Sequence, residues 1–280
     1  MCILAVNWCA STYGKRLTQR VLDRENMLRI LAHSPEGVLL AMEFPSPAPA
    51  KERKPLGAQI QKMEIHWNMQ TNIARLLGYW SSIFIAILGG IYLLLLIFYF
   101  STAGFIFPPT PLVQLVGGVV TFLTAPGLLI LFTAIRFVKE ENNNVLGSLG
   151  VSFMILFSAT VSINRFVQLT VIQQSLPDVP TDLTRFMPYS TGSVMFALEM
   201  LGWGFFSSLA AVFVAPLFSS SPLNNAIRWL FILYAVFSFM SVIGFATNTP
   251  ITAGAFIAWG PILLALSILL ARYFQNIKKG

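Results

Sequence analysis

Six apolar runs, each close to the length that crosses a bilayer, leave this chain one architecture. About 20 helical residues rising roughly 1.5 Å each span the hydrocarbon of a membrane. Runs of that size lie at 80–101, 112–137, 146–172, 193–217, 225–246 and 252–273. In lipid every backbone N–H and C=O must be satisfied within its own segment, so each run is read as a helix. The expected fold class is therefore all-α, a polytopic bundle of six transmembrane helices. Composition agrees: 10% of the residues are charged, against roughly 25% in soluble domains. Thr110-Pro111, Ser221-Pro222 and Thr249-Pro250 each offer a capping hydroxyl followed by proline at the first helical position, punctuating the second, fifth and sixth spans.

The net charge of +7 does not indicate a nucleic-acid partner, because ten of the eighteen Lys and Arg residues precede residue 80. That asymmetry reads as topology. With the N-terminus inside, sixteen basic residues face the cytoplasm, Arg185 alone lies in an outer loop, and Arg165 remains within a span. The positive-inside rule then places both termini in the cytoplasm of a cell membrane.

Residues 1–62 carry mixed charge and Pro45, Pro47, Pro49 and Pro55, with no sustained period after about residue 32. A short helix near 16–32 and an otherwise poorly ordered cytoplasmic tail are expected. Met63 is an alternative start, which would leave 1–62 outside the working protein. The apolar opening MCILAVNWCA lacks a basic segment before it, so no cleaved signal peptide is expected. From Met63 onward, Ile65, Met69, Ile73, Leu76 and Trp80 recur at spacings of three and four. They form an amphipathic helix that either lies on the inner membrane surface or extends the first span. Trp67, Tyr79 and Trp80 suit the aromatic belt there.

Function is sought where charge enters hydrocarbon, since an ionisable side chain inside a span is costly and marks a site by default. Arg165 in the third span and Glu199 in the fourth are the charges well inside apolar segments. Counting from the outer ends, both lie roughly 10 Å deep at about 1.5 Å per residue, so an ion pair between neighbouring antiparallel helices is geometrically cheap. Ser158, Ser162, Arg165 and Gln168 form a stripe on one face, flanked by Asn164. Gln114, near the outer end of the second span, is the further candidate. Two readings stay open: a polar pocket opening outward, with Glu199 as a proton or cation site, or a buried pair that fixes helix register.

Other patterns are less directive. Pro126 and Pro261 fall mid-span, where proline removes a hydrogen bond and kinks a helix. Ser148, Ser152, Ala159 and Ser162 on the third span, and Gly204 and Ser208 on the fourth, have the spacing that lets membrane helices approach closely within a bundle or between copies in a homo-oligomer. The loop 173–192 carries Asp178, Asp182 and Arg185, and Thr181 is placed to cap a short helix over 182–187. Gly89-Gly90 and Gly117-Gly118 do not recur in the second half, so no inverted repeat is expected. His33 and His66, the two histidines, lie outside the spans, and Cys2 and Cys9 have no metal-ligand spacing. No cofactor or metal is expected. H-E-x-x-H, G-x-S-x-G and P-loop sequences are absent.

Residues 63–280, through ALEMLGWGFF in the fourth span and the GFATNTPITAGAFIAWGP connection into the sixth, resemble small multi-pass bacterial membrane proteins grouped as domains of unknown function. The resemblance implies six spans and a bacterial inner-membrane location, and carries no mechanism. The expected function is non-enzymatic, either small-solute or ion handling or an accessory or sensory role, with the lipid bilayer as partner. The alternative is a membrane-embedded enzyme on a lipid-linked substrate, using Glu199 as acid or base beside Asp178 and Asp182.

Overall fold

The computed structural model of the chain describes residues 56–104, 109–139, 144–175, 181–187, 192–219 and 221–277. The chain divides after Gln61 into two units. Of the first, only residues 56–61 are described, as helix. The tail and its helix near 16–32 otherwise lie outside the described residues. The second unit, Lys62–Gly280, holds six helices long and apolar enough to cross a membrane. They are α1 (Met69–Ala103), α2 (Pro111–Val138), α3 (Val145–Ile172), α4 (Val194–Leu217), α5 (Pro222–Ala246) and α6 (Pro250–Asn276). This is the all-α architecture of a multi-pass membrane protein. The bundle end that carries the α1–α2, α3–α4 and α5–α6 connections is called distal, and the other proximal.

Five spans keep their expected bounds within a few residues, and the first is longer. The α1 helix is continuous from Leu56 to Ala103, so the amphipathic stretch extends the first span. Met69, Ile73, Leu76 and Trp80 remain exposed, and Phe84, Ile87, Ile91, Leu94 and Phe98 continue their ridge at the same spacing. An exposed apolar ridge on a membrane helix is the face that meets lipid tails. Within the bundle α2 packs on α3, α3 on α4, α4 on α5 and α5 on α6. Close approach is made by glycine: a Cβ on Gly150 would lie 2.5 Å from Val214 Cγ2, and one on Gly202 would lie 2.7 Å from Val161 Cγ2. The expected small-residue stripe on α3 does not supply this approach, because Ser152 and Ala159 face outward.

Of the three expected capping hydroxyls one caps. Ser221 Oγ accepts from Asn224 N–H at 3.1 Å, whereas Thr110 and Thr249 make no side-chain cap. Ser193 performs that role at α4, accepting from Phe196 N–H at 3.2 Å. In the loop before it, Thr181–Phe186 forms a short 3₁₀-helix, close to the expected 182–187. The α5–α6 connection is a Schellman turn. Asn248 adopts a left-handed φ of 52°, its N–H donates to Phe245 O at 3.2 Å, and Thr249 N–H donates to Gly244 O at 2.9 Å.

At the proximal end Lys139, just past α2, places Nζ 4.8 Å from the Phe218 ring centroid and 4.9 Å from that of Tyr273. Burial pushes its ammonium below the ordinary lysine range, and the two ring faces oppose that shift by attracting the cation. The aromatic core continues inward through Phe218, Phe231 and Phe132, with Phe132 and Phe231 edge to face at 5.8 Å.

Candidate functional site

Most hydroxyls within the spans are satisfied by their own helices. Ser81, Thr124, Thr133 and Ser267 each donate to the carbonyl four residues back, the common resolution for a hydroxyl in lipid. What stands apart is a cluster that reaches between α3 and α4. The Arg165 guanidinium donates to Glu199 Oε1 through Nη2 and to Gln168 Oε1 through Nη1. Asn164 Nδ2 donates to Glu199 Oε2 at 2.9 Å and to Met195 O at 3.1 Å. Both carboxylate oxygens are thus held from consecutive residues of one helix. Arg165 is 4% exposed and Glu199 5%, so the two charges offset each other's desolvation.

Four of the six candidate positions, Asn164, Arg165, Gln168 and Glu199, come together. Gln114 is buried but donates to Pro109 O at 2.6 Å, tying down the start of α2. Ser162 is half-buried on α3 and does not border the chamber described next. Asp178 lies outside the described residues.

The pair does not sit in sealed packing. Arg165 and Glu199 border a chamber of about 350 Å³ walled by α1, α2, α3, α4 and α6. A space of that size falls within the range of small-molecule sites. Ile85, Leu96, Val120, Met200 and Leu263 make most of its surface apolar, with Thr121, Thr124 and Thr252 as isolated hydroxyls. The α1 side approaches through long side chains: Tyr92 is what a Cβ on Gly117 would meet, at 3.2 Å, while one on Gly89 meets nothing within 4 Å. Of the lining residues, Pro250, Ala253 and Phe256 in the first turns of α6 are the exposed ones. The chamber wall therefore reaches the protein surface at the distal end, beside α6.

Three helices open into π turns at this level: Gln168–Ile172 in α3, Met200–Phe206 in α4 and Ala258–Ile262 in α6. Such turns are uncommon and concentrate at functional sites. In α6 the wider turn accommodates Pro261, which has no N–H to give. Pro126, by contrast, lies within α2 with no change of helix type. The π turn of α4 carries Trp203 and that of α6 carries Trp259, their ring centroids 5.7 Å apart on the chamber wall. Phe157 backs Trp203 edge to face at 4.8 Å. Trp259 Nε1 donates to Ser238 Oγ at 3.1 Å. Trp203 Nε1 is buried with no acceptor.

Sequence reasoning did not select these tryptophans, although a signal exists. Tryptophan concentrates at membrane interfaces, whereas Trp203 and Trp259 lie mid-span beside glycine, in GWG and WGP. Comparison of the chain with protein-family models, with curated proteins and with solved structures finds no match.

Proposed function

We propose that this multi-pass membrane protein is a non-enzymatic binding or handling protein for a small, largely apolar solute held in the distal chamber. The supporting observation is the chamber itself: an apolar space bordered by five helices, with one neutralised ion pair in its wall. Chemistry by Glu199 is less favoured, because its carboxylate is already engaged as counter-charge and acceptor for its neighbours. Arg165 and Asn164 already hold both oxygens. On this reading the polar cluster fixes the α3–α4 wall and gives the solute one polar boundary.

A substitution that fills the space tests the reading. Gly89 borders the chamber, and a side chain there starts in open space, so Gly89→Phe is expected to fold while occupying the cavity. With N-phenyl-1-naphthylamine, a neutral apolar fluorophore, energy transfer from Trp203 and Trp259 should saturate in the wild type and fall at least about tenfold in affinity in Gly89→Phe. Unchanged saturable transfer in that variant would remove the chamber as the binding site.

Orientation is proposed from the charge distribution, with the distal end outside and both termini cytoplasmic. Reporter fusions after residues 108, 142, 183, 222 and 248 are expected to alternate outside, inside, outside, inside, outside. A cytoplasmic signal at 183 would reverse the direction in which the chamber opens.

A further inference from the structure

We infer that the chamber's occupant is an uncharged molecule with an apolar body and one hydrogen-bond acceptor of carbonyl type, received by the indole N–H of Trp203. The inference rests on the chamber reading above and adds the chemical class of the ligand. Its first support is the orphaned donor. Trp203 is 3% exposed, forms part of the chamber wall and has no acceptor for Nε1. Buried indole N–H groups usually find a partner, and the other wall tryptophan has one. Trp259 donates to Ser238. The threonine hydroxyls of the lining are likewise spoken for, Thr121 donating to Gly117 O, Thr124 to Val120 O and Thr252 to Thr249 O. Trp203 Nε1 is a neutral donor of the chamber wall with no acceptor among the described residues, in a ring packed between Phe157 and Trp259.

The second support is charge. Arg165 and Glu199 cancel, and Asn164 and Gln168 take up further hydrogen-bonding capacity around them. An ionised guest would enter a low-dielectric space whose one cation and one anion are already committed to each other, and would have no counter-charge of its own. A neutral guest avoids that cost. The third support is size and access. A volume of about 350 Å³ lies at the small end of the range of small-molecule sites, which suits a compact molecule. Where the wall reaches the surface, at Pro250, Ala253 and Phe256, it is apolar, which suits an apolar molecule.

Three matched probes test this on the full chain in nanodiscs. Benzophenone has the apolar body and the carbonyl, diphenylmethane replaces the carbonyl with a methylene, and 4-benzoylbenzoate adds a negative charge. Photolabelling by benzophenone is expected to saturate and to map to the wall segments 196–203 and 252–263. Diphenylmethane should compete at least about tenfold more weakly, the loss of one well-placed hydrogen bond, and 4-benzoylbenzoate should compete least. Trp203→Phe should weaken benzophenone about tenfold more than it weakens diphenylmethane. The diphenylmethane comparison needs no variant, so a poorly folded Trp203→Phe does not blunt the test. Equal competition by benzophenone and diphenylmethane would overturn the acceptor, and preference for 4-benzoylbenzoate would overturn neutrality. Saturable naphthylamine binding without saturable benzophenone labelling would sink this inference alone. Absence of both would remove the chamber reading as well.

Discussion

Glu199→Gln is expected to destabilise the bundle by about 3–5 kcal/mol, because it leaves the Arg165 guanidinium buried without its counter-charge. Arg165→Met should cost a similar amount by stranding the carboxylate. Combining the two removes both charges and should recover much of the loss, so thermal unfolding in detergent should show strong non-additivity. The coupling follows from both residues being buried and joined directly. Strict additivity would mean that they do not meet in the folded protein. The double variant also separates two roles left open by the sequence. If it is stable and still binds the naphthylamine probe, the pair is a packing device. Loss of binding in a stable double variant assigns it to the solute.

Gly244→Ala is the second substitution with a large expected effect. A Cβ there would run into the backbone N of Thr252 and lie 2.7 Å from the carbonyl carbon of Ile251. Main chain cannot rotate aside as a side chain can, and Gly244 O also accepts the Thr249 N–H that closes the Schellman turn. The expected cost is about 3 kcal/mol, the upper part of the overpacking range, read as a lower melting temperature in detergent. Gly89→Ala is the control, since its Cβ would enter open space. Replacing that mid-helix glycine should be neutral or raise stability by up to about 1 kcal/mol through helix propensity. Equal effects at the two positions would show that the close α5–α6 approach is not what constrains Gly244.

Much of the fold was legible because the membrane imposes a single secondary structure and a narrow range of lengths. Hydropathy alone therefore located six helices; at α1 it left open whether the amphipathic stretch lies on the membrane surface or extends the span, because Met69–Leu77 is apolar on one face only. The Arg165–Glu199 pair was legible for the same reason: two charges at equal depth in adjacent antiparallel helices have few other ways to be neutralised. Asn164 and Gln168 followed as neighbours on the same helix. The chamber was not legible. It depends on α1 standing off behind long side chains such as Tyr92, and on π turns that bring Trp203 and Trp259 to one wall. Hydropathy averages over a turn, so a change from α to π leaves no trace in it. The hydroxyl caps were only partly legible, since Thr110 and Thr249 have the right residue type but make no side-chain bond.

The π turn at Met200–Phe206 makes chain length, as well as residue identity, a determinant of the chamber wall. Such a turn holds one residue more than the α-helical turn it replaces, so the segments on either side are out of phase by about 100°, one step of a helix with roughly 3.6 residues per turn. Glu199 lies before the turn, while Ala210, Ala211 and Val214, which fix α4 in the core, lie after it. Wound as a plain α-helix, the same residues would carry the carboxylate about 100° away from Arg165 with every side chain of the cluster still present, so the turn absorbs one residue to keep the pair facing.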